Sequence, residues 1–72
     1  MILQELLSLI QDEEARIELE IDIEGESDYQ YKSFWLSDYR VGTSGQTYKD
    51  WAVENISFMP GNNADIMITI KK

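Results

Sequence analysis

Carboxylate side chains at alternate positions are the feature of this sequence with the clearest chemical meaning. From Arg16 to Glu24 the chain alternates charged residues with aliphatic ones, so that four successive outward positions after Arg16 carry a carboxylate. Residues two apart on a β-strand point to the same face, about 6.6–6.8 Å from each other. A nucleic acid backbone is also a regular row of negative charge. The pattern therefore predicts a surface that competes for a lysine- and arginine-lined groove, with fast, salt-sensitive binding.

The predicted partner-binding surface extends to neighbouring acids and to aromatic residues of the types enriched in binding hot spots. Its members are Glu18, Glu20, Asp22, Glu24, Glu26, Asp28, Trp35 and Tyr39. Residues 1–28 hold 10 acidic residues and 1 basic residue, a net charge of −9, whereas residues 29–72 hold 4 and 5, a net charge of +1. In the alternative interpretation, the acids only keep a small domain soluble and discourage strand-edge aggregation, and the aromatic residues fill a second small core.

Catalysis, metal binding and direct nucleic acid binding are disfavoured by the residue types. The chain has no histidine and no cysteine, which removes the usual proton shuttle, the thiol nucleophile and the commonest zinc ligands. The segment 22–28 alternates oxygen donors around Gly25, but this glycine is its fourth residue and a calcium loop requires it at the sixth. The 6 basic residues are dispersed along the chain. We expect no enzymatic activity, no cofactor, no metal and no direct contact with nucleic acid.

A helix and a strand must position the acidic row. Leucine and isoleucine gather on one side of a helix over residues 2–11, and strict alternation predicts a strand over residues 16–24. After turn residues 25–28, a second strand is predicted over residues 29–41. Its alternation is imperfect, so that either a bulge lies near Ser33 or one face is an aromatic stripe outside the main core. That face carries Tyr29, Tyr31, Trp35, Tyr39 and Val41, with Phe34 and Leu36 on the other.

The second half of the chain supplies two more strands. Residues 46–51 are either a short helical turn or the approach to a strand, and residues 52–59 are predicted to be a strand with an irregularity between Val53 and Ile56. A tight turn over residues 60–63 then precedes a strand over residues 66–70. We predict a single α+β domain spanning residues 1–72, with an N-terminal helix packed on a four-stranded, mostly antiparallel sheet in the order α-β-β-β-β.

The beginning of the chain bears on location. Residues 1–11 include Glu5 and have neither a basic leader nor a long unbroken apolar run, which argues against a signal peptide and a membrane span. The absence of cysteine is compatible with a reducing compartment. We therefore expect a cytoplasmic protein that does not contact membranes.

Both ends of the chain resemble a known group of proteins. The run MILQELLSLIQDEEARIELEIDIEG and the ending WAVENISFMPGNNADIMITIKK resemble the small acidic orphan proteins of phages and other mobile elements, in which a short helix precedes a strand-rich body. Several anti-CRISPR proteins are similar in size and acidity. The resemblance implies a viral inhibitor of a host defence nuclease complex, such as a CRISPR effector, acting in the host cytoplasm. It implies binding where guide RNA or target DNA lies.

A second functional interpretation stays open. In it, the chain is a small structural or regulatory interaction module whose acids serve solubility alone. Such a module includes a homodimer that pairs through a sheet edge or through the aromatic stripe.

Overall fold

The structure is a computed structural model that describes residues 1–58 and 64–72. Two helices and four strands are present in these ranges: α1 (Leu3–Leu9), β1 (Arg16–Asp22), β2 (Gln30–Trp35), α2 (Leu36–Arg40), β3 (Ala52–Phe58) and β4 (Ile66–Lys71). A short 3₁₀ turn, Gln46–Tyr48, precedes β3 and confirms the helical alternative for that segment. The predicted turn over residues 60–63, and the last residue of the third predicted strand, lie outside the described residues.

The four strands form one mixed sheet in the order β2-β1-β4-β3. β1 pairs antiparallel with β2, and β3 pairs antiparallel with β4. The central pair, β1 with β4, is parallel, so the sheet is mostly antiparallel as predicted. β1 therefore lies inside the sheet, with a strand on each side.

One face of the sheet holds the hydrophobic core. The inward residues of β1, which include Ile17 and Leu19, form a single buried cluster with Leu3 and Leu7 of α1. These four side chains have no exposed surface. Each such aliphatic side chain contributes about 1.5–3 kcal/mol when it leaves water. We call the opposite face of the sheet, which points away from α1, the outer face.

The prediction of a strand over residues 29–41 is wrong beyond Trp35. Residues 36–40 form α2, and the pairing of β1 with β2 runs without a shift from Arg16 opposite Trp35 to Ile21 opposite Gln30, so no bulge lies near Ser33. A single helical turn after Trp35 brings Leu36 and Tyr39 to one side, because residues three apart on a helix are neighbours. Leu36 is completely buried and Tyr39 packs against the same core. Burial of these two side chains favours the helical turn over a continued strand.

Two smaller predictions differ in outcome. The irregularity predicted between Val53 and Ile56 is confirmed as a register shift between Val53 and Asn55 in the pairing of β3 with β4. The first helix is shorter than predicted, because Ile10 already has an extended backbone. Three acidic residues follow at positions 12–14, where negative charge opposes the negative end of the helix dipole.

Candidate protein-binding surface

β1 presents three carboxylates on the outer face. Glu18, Glu20 and Asp22 alternate with the buried residues of the strand, and each of the three is half-buried. We call these three residues the acidic ridge. Glu24 follows the end of the strand, and Glu26 and Asp28 lie in the exposed loop before β2. The predicted acidic residues therefore divide into an ordered row and a loop at one end of it.

Neighbouring strands border the ridge with uncharged side chains along most of its length. On the β2 side, Ser33 lies opposite Glu18 and Tyr31 lies opposite Glu20. On the β4 side, Met67 lies beside Glu18 and Thr69 beside Glu20. Because α1 packs on the other face, and Leu36 and Tyr39 of α2 pack in the same core, neither helix of the described ranges covers the ridge.

The three carboxylates have different surroundings. The Oγ1 atom of Thr69 donates a hydrogen bond of 3.2 Å to Oε1 of Glu20. Asp22 lies beside Lys71, whose ammonium is the nearest source of positive charge on β4. In the described part of the chain, the side chains of Glu18 and Asp22 have no hydrogen bond and no ion pair. Glu18 also has no cation beside it on β2 or β4, and it is therefore the ridge carboxylate most available to a partner.

The negative charge of the ridge affects the pKa of Tyr31. Desolvation, the charge of Glu20 and a hydrogen bond to its carboxylate raise the pKa of the Tyr31 phenol, and the charge of Glu18 adds to the effect. The phenol therefore stays protonated to higher pH than that of a free tyrosine.

Two cations limit the negative charge of the outer face. Arg16 begins the same row on β1, and Lys71 lies beside Asp22 at the other end. The guanidinium carbon of Arg16 lies 5.3 Å from the ring centroid of Trp35, within the range of a cation–π contact. The outer face of β1 and β4 thus combines three carboxylates with two cations, one at each end of the row.

The two aromatic residues predicted to share the surface are separated by the fold. Trp35 is 46% exposed on the outer face. Tyr39 lies on α2 instead and stacks on Phe34, with ring centroids 6.1 Å apart. Burial, together with the charge of Asp50, raises the pKa of the Tyr39 phenol. Tyr39 therefore supports the core and does not join Trp35 on the outer face.

The outer face includes side chains absent from the predicted surface. Tyr31 is 58% exposed and stands beside Glu20, and the periodicity of the second strand already placed it on one face with Trp35. Met67 and Thr69 come beside the ridge through the parallel pairing of β1 with β4. The local pattern of the sequence carries no signal for that pairing, because its two strands are more than 40 residues apart.

One groove lies away from the ridge, and a second lies at the Asp22 end of it. The larger, about 410 Å³, lies between α1, α2 and the 3₁₀ turn and is lined by residues that include Leu7, Tyr39 and Arg40. Arg40 donates to the carbonyl oxygens of Leu7 and Ile10 and forms a 3.1 Å ion pair with Glu13. Its guanidinium is therefore engaged in joining α2 to the end of α1. A smaller groove of about 190 Å³ lies between Asp22, Trp51 and Lys71.

Two further properties concern the described ranges as a whole. Residues 1–58 and 64–72 contain no group of three or more carboxylate, histidine or cysteine side chains arranged to hold a metal ion. In the same ranges, no helix has both the length and the apolar character that crossing a bilayer requires.

Comparison with known proteins identifies no relative of this chain. No family model matches it, and neither a curated protein nor a solved structure matches it.

Proposed function

We propose that this protein is a non-enzymatic inhibitor that binds another protein through the outer face of its sheet, at a basic site that otherwise binds nucleic acid. The observation that carries the proposal is the acidic ridge, a row on an inner strand of the sheet that α1 leaves uncovered. A host defence nuclease complex is the class of partner that the resemblance to mobile-element proteins implies.

The spacing of the ridge supports competition at a nucleic acid site. Its three carboxylates cover about 13 Å of strand, one every 6.6–6.8 Å or so. One strand of a DNA duplex carries a phosphate about every 3.4 Å of helix axis, roughly twice that density. Charge alone therefore makes the ridge a weaker ligand than nucleic acid. Tyr31 and Trp35, exposed beside the ridge, supply the apolar area that adds affinity.

The same charges argue against self-association through the outer face. Two copies stacked face to face with antiparallel ridges would bring Glu20 of one copy against Glu20 of the other at the centre of the contact, and Glu18 against Asp22 on either side. Two carboxylates buried against each other are destabilising, because each charge loses water and gains repulsion. The outer face is therefore suited to a cationic partner and not to a second copy.

Reversal of the ridge charges tests the proposal. In the variant with Glu18, Glu20 and Asp22 changed to lysine, we expect an unchanged fold by circular dichroism and loss of the partner that the wild-type protein captures from a host lysate. Added duplex DNA or RNA should release the captured partner from the wild-type protein. Capture should also weaken steeply as salt rises, since exposed charges are screened over about 8 Å at physiological ionic strength.

A matched control separates the ridge from net charge. The variant with Asp38, Asp50 and Glu54 changed to lysine alters the total charge equally at exposed positions outside β1. We expect it to retain the partner. If the ridge variant captures the partner as well as the wild type does, and salt has no effect, the proposal is wrong.

A further inference from the structure

The two edges of the sheet differ in how far they are open to another strand. At the β3 edge, the amide of Val53 donates to the carbonyl of Met1 at 2.8 Å, and the amide of Leu3 donates to the carbonyl of Trp51 at 2.9 Å. A register shift further along β3 also disturbs that edge. In the described ranges no segment pairs with the outer side of β2, which is regular over all six of its residues. β2 is therefore the accessible edge.

The hydrogen-bonding pattern shows which groups face that open edge. The amide of Leu36 donates to the carbonyl of Ala15 at 2.9 Å, in register with the β1–β2 ladder. Opposite residues in an antiparallel ladder alternate between bonded and non-bonded pairs. Tyr31 and Ser33 consequently belong to non-bonded pairs, and their N–H and C=O groups point away from β1. They are free to pair with an added strand.

The small side chain of Ser33 leaves a gap between Tyr31 and Trp35 that connects this edge to the ridge, and we call this gap the notch. Ser33 lies between Tyr31 and Trp35 on the outer face and directly opposite Glu18. A strand added beside β2 would lie two strand spacings from β1, about 9.4–9.8 Å. A lysine or arginine side chain and the Glu18 side chain can together bridge that distance over the small serine. Of the two flanking rings, Trp35 already has the guanidinium of Arg16 in contact with it, and the ring of Tyr31 can attract a further cation.

Charge decides which kind of strand fits. A second copy of β2 would present Tyr31, Ser33 and Trp35 on the outer face, none of which is cationic. Its lysine, Lys32, alternates to the other face of the sheet. A second copy would also bring a net charge of −8 to a surface that is already negative. A basic strand places opposite charge at Glu18 and satisfies the same backbone groups.

We infer that β2 is a docking edge for an extended basic segment of the partner, which adds as a fifth strand and inserts a lysine or arginine over Ser33 to reach Glu18. This inference rests on the proposed function, because it identifies how the cationic partner engages the ridge. Backbone pairing supplies affinity in such strand addition, and the side-chain notch supplies specificity.

Two probes of similar charge distinguish strand addition from simple electrostatic attraction to the ridge. The first is a capped nonapeptide in which four lysines alternate with threonine. The second is spermine, which has four amines and no peptide groups. We expect the peptide to bind about tenfold more tightly than spermine, equivalent to ~1.4 kcal/mol. In NMR titrations, the peptide should shift the amide signals of Tyr31 and Ser33. It should also slow their hydrogen exchange, since bonded amides are protected.

Ser33→Pro is the decisive variant, because it removes an amide that points to the open edge and leaves the bonds to β1 in place. We expect peptide affinity to fall about tenfold, to the level of spermine, while spermine binding is unchanged. Ser33→Ala keeps the amide and should bind the peptide like the wild type. Exchange measurements on the wild-type protein remain decisive if the proline variant does not fold.

Three results would overturn the inference. The first is unchanged peptide affinity in Ser33→Pro, and the second is peptide-induced protection elsewhere than at β2. The third is a wild-type dimer that Ser33→Pro dissociates in sedimentation equilibrium, because the edge would then bind a second copy. Failure of the proposed function has a different signature, in which reversing the three ridge charges leaves binding of both probes unchanged.

Discussion

Thr69 donates a hydrogen bond of 3.2 Å to the carboxylate of Glu20, so the middle of the acidic ridge is held by a neighbouring strand of the same protein. Tyr31 stands on the opposite side of that carboxylate, and desolvation together with the charge of Glu20 raises the pKa of its phenol. Glu18, one position along the ridge, has Ser33 and Met67 beside it instead. The ridge therefore contains one carboxylate whose capacity is partly used internally and one that is available.

This difference predicts a ranking of single substitutions. We expect Glu18→Gln to weaken spermine binding by about fivefold, the equivalent of ~1 kcal/mol for an exposed ion pair. Glu20→Gln should have a smaller effect, because its partners already share the carboxylate. Calorimetric titration at low ionic strength measures both values, and the exposed Glu54→Gln serves as the control for a lost charge. Equal losses at positions 18 and 20 would contradict the ranking.

The interaction between Tyr31 and Glu20 predicts a specific titration. Desolvation and the adjacent carboxylate raise the pKa of Tyr31 above the ordinary value of about 10. In Glu20→Gln the Tyr31 pKa should therefore fall, whereas in Glu24→Gln it should stay in place. Titration of ¹³C-labelled tyrosine by NMR resolves Tyr31 from the other tyrosines.

The sign of the effect on stability follows from the same shift. The folded state holds the Tyr31 proton more tightly than the unfolded state does. The contribution of this group to the free energy of unfolding is therefore complete below pH 10 or so and is lost as pH rises through the folded-state pKa. A Tyr31 titration unaffected by Glu20→Gln would show that the carboxylate does not act on the phenol.

Local patterns in the sequence predict those parts of the fold in which buried and exposed residues alternate with a constant period. The strict alternation of β1 gives both its buried face and its carboxylate row, because a period of two leaves a single arrangement that buries the isoleucines. The change from β2 to α2 at Leu36 has no such signal. There, the burial of Leu36 and Tyr39 in the assembled core decides the conformation.

In the candidate surface too, some features follow from the local sequence pattern and others depend on tertiary packing. Glu18, Glu20 and Asp22 could be placed together from their spacing alone, because they belong to one strand. The roles of Thr69 and Lys71 depend on the insertion of β4 beside β1, a parallel pairing set by tertiary packing. The separation of Tyr39 from Trp35 likewise follows from α2, which turns Tyr39 onto Phe34.

Arg40 links the two helices through polar contacts. Its guanidinium donates to the carbonyls of Leu7 and Ile10 at the end of α1 and pairs with Glu13. We expect Arg40→Ala to lower the free energy of unfolding by about 1.5–3 kcal/mol, as for hydrogen bonds to a charged group. Glu13→Gln removes only the exposed ion pair and should cost about 0.2–1 kcal/mol. Urea denaturation compares the two, and equal losses would assign the effect to the ion pair.

Gly45 and Gly42 form a matched pair that tests the packing of α2 against β2. Both have positive φ, +75° and +87°, so alanine at either position incurs a backbone cost of about 1–2 kcal/mol. At Gly45 a Cβ atom would also lie 3.0 Å from Cζ of Phe34 and 3.2 Å from Cδ1 of Tyr39, whereas at Gly42 it meets nothing within 4 Å. We therefore expect Gly45→Ala to lower the free energy of unfolding in urea by about 1–3 kcal/mol more than Gly42→Ala does. Equal losses would mean that Phe34 and Tyr39 move aside freely, and that their stacking does not fix the position of α2.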